Sequence, residues 1–520
     1  MTLLIGRRQL LGAGAASMLA APAILRAQPL FLRDPFVLGV AAGDPAPDGF
    51  VIWTRLIADA DAPGGGMPMA AVEVEWSVAE DEGFRTIARS GTALARPELA
   101  HSVHVEVDGL QPGRPYFYRF QVGSARSFVG RAQTVPAAGA ALDRVRFAVA
   151  GCQHFEDGLY TGYRHLAAEP DLDFVYHYGD YIYEYSSSPV RIAYGNLRER
   201  VREHRRPTEL QSIDDYRLRY TEVKSDPNLM LAHAAAAWFI TPDDHEVENN
   251  WVDGIPQDDV PPELFALRKR MALQAYYEHM PLRRAALALG ADKPIYHRRQ
   301  TYGSLMSAHF LDTRGSRTDQ PCQDGFRPDC AGVDDPDAAV LGQVQERWLN
   351  EGLGASRARW NLIGQQIMVM PLDRRTGDEP EPIRNMDSWA AYTAPRERML
   401  ERFGRTGNVV VLTGDEHQNF AGQLRRDRGQ GDPVGAEFVT TSMSSGGNGS
   451  DRRAFTDRLK ARNPYLLDTN DQRGYALCEV TPQTFQTQWR VVDQVTTPGA
   501  PVRTRSTFVL EHGSPEIHGS

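Results

Sequence analysis

Five apolar runs in this chain end in residues that bind cations or move protons. "VRFAVAGC" ends at Cys152 and is followed by Gln153 and His154. "LDFVYHYGD" ends at Asp180, with Tyr183 three residues on. "AAAAWFITPDDHE" ends in Asp243, Asp244, His245 and Glu246. "LMSAHFLDTRGSR" carries Asp312 and Arg314, and "NVVVLTGDEHQN" carries Asp415, His417 and Asn419. Taken singly, each has an ordinary explanation. Asp180 after Gly179 is a helix N-cap, Tyr183 a strand-end aromatic, Cys152 a small buried residue. The "DDHE" run is a solvated loop, His417 a satisfied core histidine, Asp312 with Arg314 an ion pair. None of these explains why such residues recur after five successive apolar runs. A site for more than one metal ion does. A phenol or thiol among carboxylates gives up its proton at neutral pH when a cation draws it away.

The elements that must position these residues follow from periodicity. Continuous apolar runs ending in small residues predict strands buried on both faces. Helical stretches such as "PPELFALRKRMALQAYYEHM" and "AVLGQVQERWLNEGL" separate them. Strands alternating with helices predict a layered domain, whose sites form outside the carboxyl ends of the strands. Residues 36 to 136 read differently. "VEVEWSV" and "HSVHVEV" alternate with period two, as half-buried strands do. "DGLQPGRPYFYRFQV" is a turn followed by a strand with alternating aromatics, similar to the late strands of fibronectin type III sandwiches. "TVPAAGAALD" reads as the linker. The expected architecture is α+β: a β-sandwich over residues 30–136, then a layered domain over residues 144–515.

The chain has 520 residues, a formal charge of −10 and 42% hydrophobic residues, enough for two domains. An acidic balance without a patterned basic face excludes a nucleic-acid-binding footprint. The N-terminus opens with Arg7 and Arg8, then runs apolar from Leu10 to Leu25. This predicts a twin-arginine signal peptide over residues 1–27, with the export machinery as partner of the precursor and a periplasmic or secreted location. Its run is broken by Gly and Ala and is weak for a permanent membrane span. Cys322 and Cys330, in "PCQDGFRPDC", are placed to pair in an oxidising compartment. Cys478, in a strand-like run, is expected in the core.

The order "GCQ … GDYIY … DDHE … GDEH" resembles the metallophosphoesterase superfamily, and its GDxxY motif is met at Gly179, Asp180 and Tyr183. Cys152 stands where that superfamily has an acid, Asp244 where it has Asn, and Asp415 where it has the penultimate His. Those departures, with "GVAAGDP" and "WTRL" near the start, are similar to the alkaline phosphatase D (PhoD-like) family. The resemblance implies a sandwich domain followed by an αββα catalytic domain and an Fe3+ and Ca2+ cofactor. Hard oxygen donors suit calcium; a thiolate and a phenolate suit trivalent iron. The residues implied for iron are Cys152, Tyr183 and His417, with Asp180 bridging to calcium. Asp244 and Asp415 are expected on the calcium side, with Asp243 and Asp312 as further acid ligands. Gln153 and Asn419 are expected as supporting donors. His245 is the candidate to meet the leaving oxygen or phosphate, and Arg314 to clamp a phosphoryl oxygen. The implied reaction is hydrolysis of phosphate monoesters, and of diesters, by a metal-activated hydroxide, on small-molecule or polymer substrates. Two alternatives stay open: another ester substrate on the same fold, and an exported surface-binding protein with structural metals.

Overall fold

A computed structural model describes residues 24–25, 31, 33–193, 196–287 and 293–519. The expected signal segment lies outside the described residues except for Ile24–Leu25, which pair in parallel with Ala71 and Val72.

The first predicted runs become strands that pair in parallel. In this article's numbering the elements in chain order begin with β1 (Ala41–Ala46), β2 (Gly49–Arg55), β3 (Ala71–Ala79), β4 (Ser102–Val107) and β5 (Pro115–Val122). β6 (Val145–Ala150), β7 (Phe174–His177) and β8 (Ala237–Ile240) follow. β7 lies parallel between β6 and β8, so the loops after all three leave along one edge. A second sheet contains β9 (Met306–Phe310), β10 (Trp360–Gly364), β11 (Val409–Thr413) and β12 (Pro433–Val439), again mutually parallel. Nearly every residue of β6 to β12 is buried. That explains why they read as unbroken apolar runs and not as alternating ones.

The two sheets pack face to face. Phe147, Phe174 and Tyr176 of the first sheet share one buried cluster with Phe310, Trp360, Leu362 and Val410 of the second. Phe174 and Phe310 meet edge to face, with centroids 6.3 Å apart, a favoured aromatic geometry. Helices α1 (Ile213–Lys224) and α2 (Pro262–His279) cover the outer face of the first sheet through Tyr216, Tyr220, Phe265 and Tyr276. Helices α3 (Gly342–Ala355) and α4 (Thr393–Thr406) cover the second through Leu349, Leu353, Leu400 and Phe403. The layers therefore run helix, sheet, sheet, helix, with the core between the sheets.

The N-terminal region departs from the expectation of a separate sandwich. Its strands do form two layers around one core, in which Phe50 and Ile52 of β2 meet Val72 and Val78 of β3 and Tyr116 and Tyr118 of β5. One layer, however, is not its own sheet. β1 pairs in parallel with β8, Ala42 opposite Ala237 and Gly43 opposite Trp238, so β1, β2 and β4 extend the first sheet of the layered domain. Small residues at the junction make this possible: a Cβ on Gly43 would sit 2.2 Å from the Pro281 carbonyl oxygen. Polar contacts also cross the junction. The Trp53 indole donates to the Glu278 carbonyl (3.1 Å) and Arg55 to Thr221 Oγ1 (2.8 Å).

Cys322 and Cys330 form a disulfide with a Cα–Cα separation of 5.7 Å. Cys152 and Cys478 are free and buried. Among the described residues no helix is long and apolar enough to cross a membrane.

Candidate metal centre

The residues after β6, β7 and β11 do not simply continue their strands. Cys152, Asp180, Asp415 and His417 all take positive φ, at 50°, 54°, 63° and 51°. For residues with a Cβ this left-handed region costs about 1 kcal/mol or more each. Four such residues, at strand ends of the two facing sheets, bring donor side chains into a common space. Gly179, at φ 121°, lets the 178–180 turn press against the neighbouring loop: a Cβ there would lie 2.4 Å from Asp243 Cβ. Glu246 fastens the two loops together. One of its oxygens accepts from Tyr181 N (2.6 Å), the other from Asp180 N (3.2 Å) and Asp243 N (2.7 Å).

Three groups of donor atoms result, and all share Asp180; one sets it beside Asp244 and His245, and the other two gather the remaining ligands. Cys152, Asp180 and His417 present ligand atoms within 4.8 Å of one another. Tyr183 joins them: its hydroxyl donates to Asp180 Oδ2 (2.9 Å) and lies 3.0 Å from His417 Nε2. The second group is Asp180, Asp243, Asp244 and Asp415. Asp180 stands between the two. One oxygen each of Asp180 and Asp243 is buried without a hydrogen-bond partner, and Asp244 Oδ1 has no hydrogen bond beyond the Arg314 Nη2 charge 3.4 Å away. Buried carboxylate oxygens are costly in that state. Oxygen donors left open and aimed together fit hard cations; the thiol, phenol and imidazole fit a transition metal.

Electrostatics makes the same point. Burial, reinforced by Asp244, Asp243 and Glu246, pushes the Asp180 carboxyl well above the usual range, although His245 pulls the other way. Burial and the charges of Asp243 and Asp244 do the same to Asp415. Asp243 is pushed up to about 7, mainly by burial, against the pull of Arg314. Burial opposes ionisation of Asp244 too, but Arg314 and His245 bring it down to about 2. The Cys152 thiol is pushed up by burial and by the neighbouring carboxylates. Without added positive charge this cluster cannot ionise fully; with cations bound it can.

Not every expected ligand joins the cluster. The Asp312 carboxylate turns back on its own loop, accepting from Arg314 N and Gly315 N at 2.9 Å each. Its run ends like the others, but its side chain serves a turn. Arg314 is fully buried. Its guanidinium bonds Asp243 Oδ1 (2.7 Å) and Asp387 Oδ1 (3.0 Å), so it lies behind the acids and braces them. Its partner is not Asp312. His245 does reach the centre. Its Nδ1 is 2.7 Å from Glu184 Oε2, its Nε2 is 3.9 Å from Asp244 Oδ2, and its ring lies 4.2 Å from that of Tyr183. Burial opposes a charge on His245, but Asp244, Glu184 and Asp180 raise its pKa well above the ordinary value. Gln153 donates to the Tyr181 carbonyl (3.0 Å), and Asn419 ties the 417–419 turn to Asn470 (2.7 Å).

Sequence reasoning missed Glu184, Asp387 and Ser445. The Ser445 hydroxyl, with one proton to give, lies 2.7 Å from the Cys152 carbonyl and 2.8 Å from the Tyr183 hydroxyl oxygen, and it accepts from His154 N (2.9 Å). It lies in "TTSMSSGGNGS", which has no periodicity to point at it.

Paired sheets whose strand ends converge on an acid-rich cluster with a tyrosine and a histidine define a class of protein built to hold metal ions at one site. Comparison with known proteins makes the membership specific. The family model for PhoD-like phosphatase matches residues 147–489, and that for the PhoD-like phosphatase N-terminal domain matches residues 21–136. The chain belongs to the PhoD-like phosphatase family and is a phosphoric ester hydrolase. Alkaline phosphatase D of Bacillus subtilis (strain 168) is 48% identical over 491 residues, covering 94% of this chain and 82% of that protein. A solved structure of PhoD superposes with a TM-score of 0.90 at 46% identity, over 95% of this chain and 93% of that one. Purple acid phosphatase PPD1 from yellow lupin shares the fold at 10% identity, with a TM-score of 0.53 over 91% of this chain and 73% of its own.

Proposed function

We propose that this chain is an exported, metal-dependent phosphatase acting on phosphate monoesters and diesters. Fe3+ would be held by Cys152, Asp180, Tyr183 and His417, and Ca2+ by Asp180, Asp243, Asp244 and Asp415. The observation that carries this reading is the position of Asp180, whose carboxylate belongs to both donor groups. Support for export is the Arg7-Arg8 pair with the apolar run behind it, and the name of the Bacillus relative supports phosphate esters as substrates.

Bound cations supply Lewis-acid activation of water and neutralise charge on the phosphoryl oxygens. The chain supplies the rest. Glu184 holds His245 Nδ1 while its other oxygen is fixed by Asn249 N at 2.8 Å. That orientation leaves Nε2 to donate a proton to the leaving ester oxygen. Water adds to phosphorus and gives up a proton, the phosphorus–oxygen bond to the leaving alcohol breaks, the alcohol departs with the proton from His245 Nε2, and the proton released by water restores the imidazolium. Arg314 holds Asp243 in place and does not meet substrate. The buried walls around Cys152 and Tyr183 limit water and strengthen each charge interaction.

The test is turnover of p-nitrophenyl phosphate and bis(p-nitrophenyl) phosphate by protein matured in its exporting cell, before and after chelation. The expected result is activity on both esters that chelation abolishes, with iron and calcium found by elemental analysis. A visible charge-transfer band that fades in Tyr183→Phe is expected alongside. Zinc alone, or activity that survives complete chelation, overturns the reading.

A further inference from the structure

A groove of about 610 Å³ is lined in part by Gln418, the residue after His417, and its volume is within the size range of small-molecule sites. It shares a loop with the centre: Asp415 and His417 face the donor groups, while Gln418 lines the groove. Its far walls are Phe326, Ile383, Phe455 and Leu459. Phe326 and Phe455 are 50% and 54% exposed, and exposed rings at a concave surface mark contact sites. The wall is anchored to the centre. Phe326–Pro328 pairs antiparallel with Ile383–Asn385. Asn385 donates to Glu416 Oε1 (3.3 Å) and, two residues on, Asp387 bonds Arg314.

The charges on the rim limit what fits. Arg374 is paired with Glu416 (2.6 Å), Arg375 with Asp373 (2.6 Å) and Arg453 with Asp471 (3.5 Å). A rim so balanced has little excess attraction for a second anion. Two half-exposed phenyl rings with hydrogen-bonding edges nearby suit a neutral, flat, ring-bearing group. Resting on the hydrolase reading above, we propose that this groove binds the ring-bearing organic arm of a phosphate diester. His245 sits on the 243–246 loop and the groove belongs to the 415–418 loop. In this proposal the arm in the groove is the one retained on phosphorus, while the arm met by His245 leaves.

Two diesters with the same leaving group separate the claims: methyl p-nitrophenyl phosphate and thymidine 5′-(p-nitrophenyl phosphate). Metal-loaded wild type should favour the thymidine ester in kcat/KM by about tenfold or more, the yield of one base–aromatic stack. Phe326→Ala and Phe455→Ala should each remove most of that preference through KM, leave the methyl ester within about twofold, and leave metal content unchanged. Phe455→Tyr should restore the preference. Turnover of both esters without a ring preference, or an equal fall on both in the alanine variants, overturns the groove assignment alone. No turnover of either ester by metal-loaded wild type overturns the hydrolase reading, and the groove assignment with it.

Discussion

Arg314 separates two roles that its sequence context does not. A guanidinium after a strand-end Asp reads equally well as a phosphate clamp or as a structural ion pair. The structure makes it a brace, fully buried and shared between Asp243 and Asp387. Breaking a buried pair by removing one partner leaves uncompensated charge and costs about 3–5 kcal/mol. Arg314→Met should therefore lower the urea-unfolding free energy of chelated protein by about 3 kcal/mol. A clamp reaching into solvent would cost activity with almost no stability, so a loss under about 0.5 kcal/mol excludes the brace. The same contrast explains which side chains could be read in advance. Cys152, Asp180, Asp244, Asp415 and His417 each directly follow an apolar run, so strand register announces them. Glu246 was visible beside its neighbours, but its brace role depends on backbone groups of a separate loop. Asp387 lies in "RNMDSWA", where nothing periodic points to it, and Asp312 ends its run like a ligand yet closes a turn.

At the scale of elements, the buried strands were readable because burial on both faces removes alternation. The edge between β1 and β8 was not. Pairing between strands almost two hundred residues apart depends on shape at Ala42 and Gly43, which carry no local signature. Around that junction lies Lys224, the last residue of α1, fully buried with its Nζ 4.3 Å from the Trp53 ring and 3.3 Å from the Tyr181 hydroxyl. Burial pushes it down to about 7. The sign follows from linkage. Between about 7 and the unfolded value of 10.5 the unfolded chain binds more protons, so the stability contribution of Lys224 rises with pH across that window. Below it, the full cost of burying the charge is present. Lys224→Met should thus stabilise the protein at pH 7 by on the order of 2 kcal/mol, allowing for the lost cation–π contact. The gain should shrink towards zero near pH 10.5. A urea-midpoint difference that stays constant from pH 7 to pH 10 would show that this lysine does not titrate on unfolding.

For the whole molecule, the candidate metal centre is a debt in stability that bound cations would cancel. Asp243 and Glu246 are both pushed up to about 7, chiefly by burial. Their unfolded counterparts ionise near 4, so the folded chelated protein holds protons that the unfolded chain has released. Stability of that form is therefore lost as pH rises from about 4 to about 7. Asp244, brought down to about 2, contributes in the opposite sense, but its contribution is complete by about pH 5 and adds no slope above it. Buried histidines complicate the absolute curve. His104 and His177, pushed down by burial to about 4 and about 3, favour folding as pH rises towards 6.5. Those groups lie outside the donor set and are the same in both forms, as is Glu437, pushed up to about 7 by its own burial. The difference between metal-loaded and chelated protein isolates the centre. That difference should grow by on the order of 5 kcal/mol between pH 5 and pH 7.5, read as a widening gap between urea midpoints. A gap independent of pH would mean that the carboxyls are already ionised without cations, and that the crowding of acids around Asp180 exerts no pull on metal.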